Sequence, residues 1–378
     1  MKAKMKVMTI VGTRPELIRL SAVIATLEQN VEQVLVHTGQ NYDYELNEVF
    51  FKDLALPKPR YFLEAAGKTA SETIGKVIIA ADEVIRRERP DAVLILGDTN
   101  SCVAALAARK NNVPVYHMEA GNRCFDFNVP EELNRRLVDH VSDFNLCYTE
   151  HARRHLLSEG IEHRRIIVTG SPMNEVLTRF RPHIDASTVL EQLGLTERGY
   201  FIASFHRQEN VDKPEHLKAI VDALDELSHR YDRPVVVSTH PRTRKRLLDA
   251  GIDTSDSTHL KFLKPWGFHD YNRLQLSALC AISDSGTISE EASLLGFPAV
   301  TIRNAIERPE ALDTGSIIIT GLDKQTIADG VQQAISDFED GLISPVPLDY
   351  QISNTSQRVL RFILGTARLN ARWHGLDA

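Results

Sequence analysis

DAVLILGDTNSCVAALAARKNNVPVYHMEAGNRCFDFNVPEELNRRLVD, residues 91–139, contains two short apolar runs rich in β-branched side chains, Ala92–Leu96 and Val113–Met118. Each is too short to make a helix of its own, and each ends on polar residues, as a buried strand does at the carboxyl edge of a parallel sheet. Asp98 follows the first run and Glu119 the second, while Glu131 and Glu132 open the next helical stretch. Ligands of open α/β sheets bind in the crevice beyond the carboxyl ends of the strands, so these acids form a cluster over one crevice. That makes them a candidate site for proton transfer.

Upstream, Lys6–Val11 reads as a first buried strand, and Gly12-Thr13-Arg14-Pro15-Glu16 as a tight turn into a helix with proline in its first turn. Such a helix start offers free N–H groups and a positive dipole end, to which Arg14 and Arg19 add charge. An anion is its natural occupant; the alternative is that Arg14 caps a surface loop. The turn falls short of the GxGxxG spacing of a dinucleotide site. Val34–His37 is a second strand leading to the polar loop Thr38–Tyr42, whose role the pattern leaves open. Helices at Ala70–Arg87, at Ala104–Asn111, from Glu131 and after Thr149, with a strand at Phe144–Tyr148, continue a βαβ alternation, the pattern of a doubly wound parallel domain. Periodicity loosens through Arg181-Pro182, read as the hinge region. A second alternation runs through Tyr200–Phe205, Val235–Thr239, Leu260–Leu263, Leu279–Ser283, Ala299–Ile302 and Ile317–Thr320. The expected fold class is therefore α/β, with two Rossmann-like domains facing a central cleft. The first spans 1–172, the second 173–354, and the helical spacing of the closing segment, 355–378, lets it rejoin the first.

The second half brings a site of its own, Asp284-Ser285-Gly286-Thr287-Ile288-Ser289-Glu290-Glu291. A strand ending in Asp-Ser-Gly and feeding a helix offers N–H groups and a hydroxyl to a diphosphate, and a carboxylate one turn in can accept from the hydroxyls of a ribose. As favourable charges at a helix start, the two acids would account for one of their number but not for the whole arrangement. His206 and Arg207, directly after a strand, bring an imidazole and a guanidinium to the cleft from this domain.

Composition narrows the class. At 378 residues, 43% hydrophobic and 25% charged, the chain is too long for one ordinary core and has the make-up of a water-soluble globular protein. A net charge of −7 argues against a nucleic-acid partner. The cluster Arg242, Arg244, Lys245, Arg246 is either a phosphate holder or a solvated helix face. Cys102, Cys124, Cys147 and Cys280 show neither a CxxC pair nor zinc spacing, which predicts reduced thiols in the cytoplasm. The apolar run in the first dozen residues is too short for a signal sequence, and no stretch is long enough to span a bilayer, so no membrane association is expected.

Taken together, GTRPE at 12–16, GDT at 97–99, HMEAGNR at 117–123, PEELNR at 130–135, HR-x-EN at 206–210, DSG-x3-EE at 284–291 and ERPE at 307–310 resemble the non-hydrolysing UDP-N-acetylglucosamine 2-epimerase family over nearly the whole chain. HTGQNYDYEL, GDTNSC, HMEAGNRCFD, STHPRTRKRL and ISDSGT look most like the UDP-N-acetyl-L-fucosamine synthases within it, which epimerise UDP-2-acetamido-2,6-dideoxy-L-talose at C2 for bacterial surface polysaccharide. The resemblance implies a glycosyltransferase-B-like fold, a homodimer, UDP-sugar and UDP as ligands, and neither metal nor nicotinamide cofactor. Asp98, Glu119, Glu131 and His206 fall on the family's catalytic or near-catalytic places. Arg14 and Arg19 fall on substrate contacts of the first domain, with Arg207 joining them from the second; Ser285, Gly286, Thr287 and Glu291 fall on UDP contacts, and Arg308 belongs to ERPE. Three departures stand out. Arg19 replaces the usual lysine, Thr287 the second glycine of DSGG, and Asn41-Tyr42 the regulatory-site text, so the resemblance leaves allosteric activation open.

C2 of an amino sugar has no carbonyl beside it, so simple deprotonation does not explain epimerisation. The family route, as the resemblance implies it, removes H2, expels UDP from C1, and returns UDP to the resulting glycal with protonation of the other face. Carboxylates near C2 and cations on the diphosphate suit that chemistry. Two rivals stay open: a glycosyltransferase, which needs an acceptor groove, and a UDP-sugar sensor, which needs none of the acids.

Overall fold

Thirteen short strands, assembled into two parallel sheets, carry the described part of the chain. The computed structural model describes residues 4–39, 51, 53–255, 259–342 and 344–373. Asn41, Tyr42 and Tyr44 lie outside them. Contacts divide the chain into two units, one of 1–123, 130–178 and 349–378, the other of 124–129 and 179–348.

The sheet of the first unit comprises β1 (Lys6–Val11), β2 (Glu32–His37), β3 (Tyr61–Phe62), β4 (Ala92–Leu96), β5 (Val115–Met118), β6 (Phe144–Cys147) and β7 (Ile166–Val168), in the spatial order β3-β2-β1-β4-β5-β6-β7. Every pairing is parallel. All five residues of β4 are buried, which explains its unbroken apolar text: helices cover both faces of a parallel sheet, leaving no side to alternate. Strand order reverses between β1 and β4, and that switch point is where the loops after the two strands splay apart. The second unit repeats the plan with β8 (Phe201–Ser204), β9 (Val235–Ser238), β10 (Leu260–Leu263), β11 (Ala281–Ser283), β12 (Ala299–Thr301) and β13 (Ile318–Ile319), in the order β10-β9-β8-β11-β12-β13. Its switch point lies between β8 and β11. The α/β class with two Rossmann-like sheets is thus the one read from the sequence.

The elements differ from the sequence reading in detail. β11 is only Ala281–Ser283, the three residues that pair with both β8 and β12. The stretch at Arg181-Pro182, read as the hinge region, lies at the end of a helix, Met173–Asp185. Proline there forfeits a single N–H near the last turn, and Arg181 Nε meets both oxygens of Asp185 at 2.9 and 3.0 Å.

The closing helix, Thr355–Thr366, belongs to the first unit and packs on the helix Arg14–Asn30. Val359, Leu360 and Ile363 form its buried stripe at helical spacing. Its start is pinned where Thr355 Oγ1 donates to the Thr169 carbonyl at 3.0 Å, and its end where the hydroxyls of Thr366 and Tyr116 meet at 2.7 Å. Ile363→Ala should therefore destabilise the first unit by about 2–5 kcal/mol, seen as an earlier urea transition by circular dichroism; an unchanged midpoint would show that this helix is not an integral part of its core.

Candidate active site

In the first unit the two loops of the switch point are tied by Glu16, a residue that the sequence reading quoted only as part of GTRPE. Thr13 ends the turn after β1 and Glu16 stands three residues on, the Thr-x-x-Glu spacing of a capping box. Here the carboxylate reaches further. It accepts from Gly12 N at 2.7 Å, Thr13 Oγ1 at 2.9 Å, Thr99 Oγ1 at 2.5 Å and Ser101 Oγ at 2.8 Å. Thr99 and Ser101 belong to the loop after β4, so one buried side chain fastens the GTRPE turn to the segment that carries Asp98. Burial is the dominant influence on Glu16 and raises its pKa to about 7, against the four donors that favour the charged form.

Asp98 takes its geometry from Arg135, whose Nε and Nη2 lie 3.0 and 2.8 Å from Oδ2. Behind them runs a ring of largely buried charges. Arg135 meets Glu132 at 3.1 Å, Glu132 meets Arg136 at 3.0 Å, and Arg136 meets Glu159 at 3.2 Å. Glu159 takes a two-point grip from Arg123 at 2.8 and 2.6 Å, and Arg123 passes on to Asp139 at 2.7 Å. Asp139 lies 2.9 Å from His117 Nδ1, and His117 Nε2 closes the ring at the Gly97 carbonyl, 2.8 Å away and one residue before Asp98. Burial opposes charge on Asp139, but His117 and Arg123 together outweigh it and hold the carboxyl below its ordinary range.

Glu119 sits at the end of β5 with φ +65°, a left-handed backbone that a glutamate adopts only under constraint from its surroundings. Its carboxylate is ion-paired with the buried Arg19 and receives Asn122 Nδ2 at 3.3 Å. Gly121 follows at φ +84°, where a β-carbon would collide with the Ala152 carbonyl, so the chain can pass beneath the helix Glu150–Ser158 only as glycine. The structure therefore brings Arg19 and Glu119 together as a pair, and Asp98 with Arg135. Glu131 opens the helix Glu131–Val141 half-buried, whereas its neighbour Glu132 is the acid locked into the ring. Arg14 is the first residue of its helix.

In the second unit, the Asp284 side chain lies at the switch point. Fully buried, it accepts from His206 N at 3.1 and 3.0 Å, Arg207 N at 3.0 Å and Asn210 Nδ2 at 3.0 Å. The Asp-Ser-Gly turn that follows shapes a small concavity lined by Ser285, Gly286, Ser289, Arg303, Glu307 and Arg308. A β-carbon on Gly286 would stand 2.8 Å from Arg308 Nη1 and 3.1 Å from Arg207 Nη2, so the missing side chain is what lets two guanidinium groups converge over the turn. Arg308 bonds the Gly286 carbonyl and pairs with Glu290 at 3.1 Å. Glu290 is thus a partner of Arg308, whereas Glu291 receives Gln275 Nε2 at 3.0 Å. Ser285 and Thr287 join their hydroxyls at 3.0 Å over the helix start Ile288–Leu295. Of the basic cluster, Arg242 and Arg246 both engage Asp212, the second at 3.0 Å, as a solvated helix face does.

Sequence reasoning missed Glu16, His117, Asp139, Gln275 and the role of Asp284. The capping-box spacing could have raised Glu16; nothing local marks Asp139, whose partners lie on other elements. Among the described residues no group of three or more His, Cys, Asp or Glu is placed to hold a metal, the four cysteines are free, and no helix is long and apolar enough to cross a membrane.

Comparison with known proteins gives the same frame. Residues 25–364 match the model of the family described as UDP-N-acetylglucosamine 2-epimerase. A UDP-N-acetylglucosamine 2-epimerase structure from Rickettsia bellii is 45% identical, covers 98% of each chain and superposes with a TM-score of 0.90. The Methanocaldococcus jannaschii UDP-GlcNAc 2-epimerase, solved in complex with UDP-GlcNAc and UDP, is 35% identical, with 96% of this chain and 100% of that chain covered and a TM-score of 0.90. A UDP-2,3-diacetamido-2,3-dideoxy-D-glucuronate 2-epimerase from Pseudomonas aeruginosa is 35% identical over 88% of this chain and 92% of its own.

Glu16 gives a pH signature. Its folded pKa, about 7, stands above the ordinary 4.5, so the folded form holds a proton that the unfolded form has lost between those values. The contribution of Glu16 to stability is full below pH 4.5, falls as pH rises, and levels off above about 7. Over that window the wild type should lose roughly 3 kcal/mol relative to Glu16→Gln, read from the difference in their urea midpoints across pH. Parallel curves would refute this.

Proposed function

This chain belongs to the UDP-N-acetylglucosamine 2-epimerase family and is a UDP-sugar 2-epimerase, and from that premise we propose that its substrate is UDP-2-acetamido-2,6-dideoxy-L-talose, converted to UDP-N-acetyl-L-fucosamine. Supporting this reading, Phe125 and Phe127 stand 66% and 72% exposed in the loop Asn122–Asn128, through which the resemblance to the fucosamine enzymes extends. A 6-deoxy sugar presents a methyl where N-acetylglucosamine presents a hydroxymethyl, and aromatic surface favours the methyl, although by only about 1–3 kcal/mol. A second reading, UDP-N-acetylglucosamine to UDP-N-acetylmannosamine, draws support from the names of the Rickettsia and Methanocaldococcus relatives.

On either sugar the proposed chemistry balances in the same way. A base takes H2, the C1–O bond to UDP breaks with its electrons leaving on the diphosphate, and a C1–C2 double bond forms; return of UDP to C1 and of a proton to the other face of C2 completes the exchange. Asp98, Glu119, Glu131 and His206 are assigned to the proton transfers. Arg14, Arg19, Arg207, Ser285, Gly286, Thr287, Glu291 and Arg308 are assigned to holding the UDP-sugar. No resident cofactor or metal enters this scheme. The working form is proposed to be a cytoplasmic homodimer.

Three experiments test the proposal. Turnover in heavy water should place one deuterium at C2 of the product and none elsewhere; retention of the original hydrogen at C2 would overturn the elimination route. Offered both substrates together, with anomeric proton signals followed by NMR, the enzyme should consume the 6-deoxy-talo sugar faster; preference for UDP-N-acetylglucosamine would establish the second reading instead. Asp98→Asn, Glu119→Gln and Glu131→Gln should lower kcat by about 10²–10⁴-fold, while Glu291→Ala and Arg14→Ala should chiefly weaken UDP-sugar binding.

A further inference from the structure

A histidine beside a reacting centre has two neutral forms, and the form it takes is set by the group that faces its other nitrogen. His206 leaves β8 with its backbone N–H and that of Arg207 both directed at Asp284, and Asn210 Nδ2 joins them on the same carboxylate. Asn210 is itself anchored to the Ile302 carbonyl at 3.3 Å, which ties this loop to the end of β12. The imidazole of His206 then turns its Nδ1 toward Asp284 Oδ1, 3.4 Å away. Asp284 is fully buried, while the His206 side chain is 49% exposed. The inner nitrogen therefore faces a fixed acceptor, and Nε2 lies on the far edge of the ring.

We propose that Asp284 is a positioning residue for His206: it holds the ring as the Nδ1–H tautomer and so keeps Nε2 deprotonated, the nitrogen able to accept a proton or a hydrogen bond from the substrate. This rests on the reading that His206 touches the UDP-sugar. The arrangement does two jobs with one carboxylate. Bonds to three N–H groups set where the loop after β8 lies, and the remaining contact sets which ring nitrogen is protonated. A purely structural acid would do only the first.

Asp284→Asn separates the two. Its oxygen can still accept from Arg207 N and Asn210, but its amide N–H group would stand against Nδ1 and favour the opposite tautomer, as when the aspartate of a Ser-His-Asp triad becomes asparagine. Long-range proton–nitrogen NMR on histidine-labelled protein, with the His206 signal identified by its loss in His206→Asn, reads the tautomer directly. The wild type should show His206 protonated at Nδ1, and Asp284→Asn should shift the proton to Nε2. The same variant should lose about 10²–10⁴-fold in kcat with UDP affinity changed by less than about tenfold. Wild-type His206 found protonated at Nε2 overturns the proposal even if no variant folds, and so does an Asp284→Asn enzyme whose turnover is undiminished. Should His206→Asn retain full turnover while the wild-type ring is protonated at Nδ1, the pairing stands as geometry but its role in the reaction is overturned, which separates failure of this inference from failure of the premise beneath it.

Discussion

A carboxylate removed from water has to find its hydrogen bonds within the protein, and at both switch points of this chain that requirement draws two loops together. At a switch point neighbouring strands send their connections in opposite directions, so the loops after them have no ladder to hold them. In the first unit Glu16, just beyond β1, gathers the hydroxyls of Thr99 and Ser101 beyond β4. In the second unit the direction is reversed: Asp284, beyond β11, gathers the amides of His206 and Arg207 beyond β8. The two solutions share no residue type and no sequence motif. What they share is the need to close a gap that the parallel fold itself opens.

Around the first gap, charge is arranged so that Asp98 is the accessible end of a buried frame. Asp98 is 24% exposed on its side chain, whereas the Arg135 that grips it is 2% exposed and the Glu132 behind that is sealed. Removing any one member would strand its partner without water, which costs far more than the pair contributes when complete. The left-handed backbone at Glu119 fits this picture: strain of about 1–3 kcal/mol persists only where neighbouring contacts over-determine the conformation, and Arg19 and Asn122 supply them.

Much of this was legible in the sequence. Strand positions followed from runs such as Ala92–Leu96, where burial on both faces writes itself as unbroken apolar text, and the candidate acids followed from their places at strand ends. Boundaries were less visible, since a strand such as β11 begins where its neighbours begin to pair rather than where its own residues change character. Pairing between distant side chains was not visible at all. Nothing near Arg135 in the chain says that it serves Asp98, 37 residues earlier, and nothing near Asp139 announces His117 and Arg123. Glu131 and Glu132 look interchangeable as text, yet helical rotation puts one in the ring and leaves the other half-buried at the helix start.

The ring behind Asp98 also bears on ionic strength. Mobile ions weaken an attraction only where they can approach it, within about 8–10 Å of exposed charge at ordinary salt. His117, Asp139 and the Arg123 side chain are wholly enclosed, so dissolved salt has no path between them. The pairs of Asp212 with Arg242 and Arg246, about a third or more exposed, are open to the same ions. Brine that loosens the outer face of the second unit would therefore leave the His117–Asp139–Arg123 part of the ring as it stands in dilute buffer.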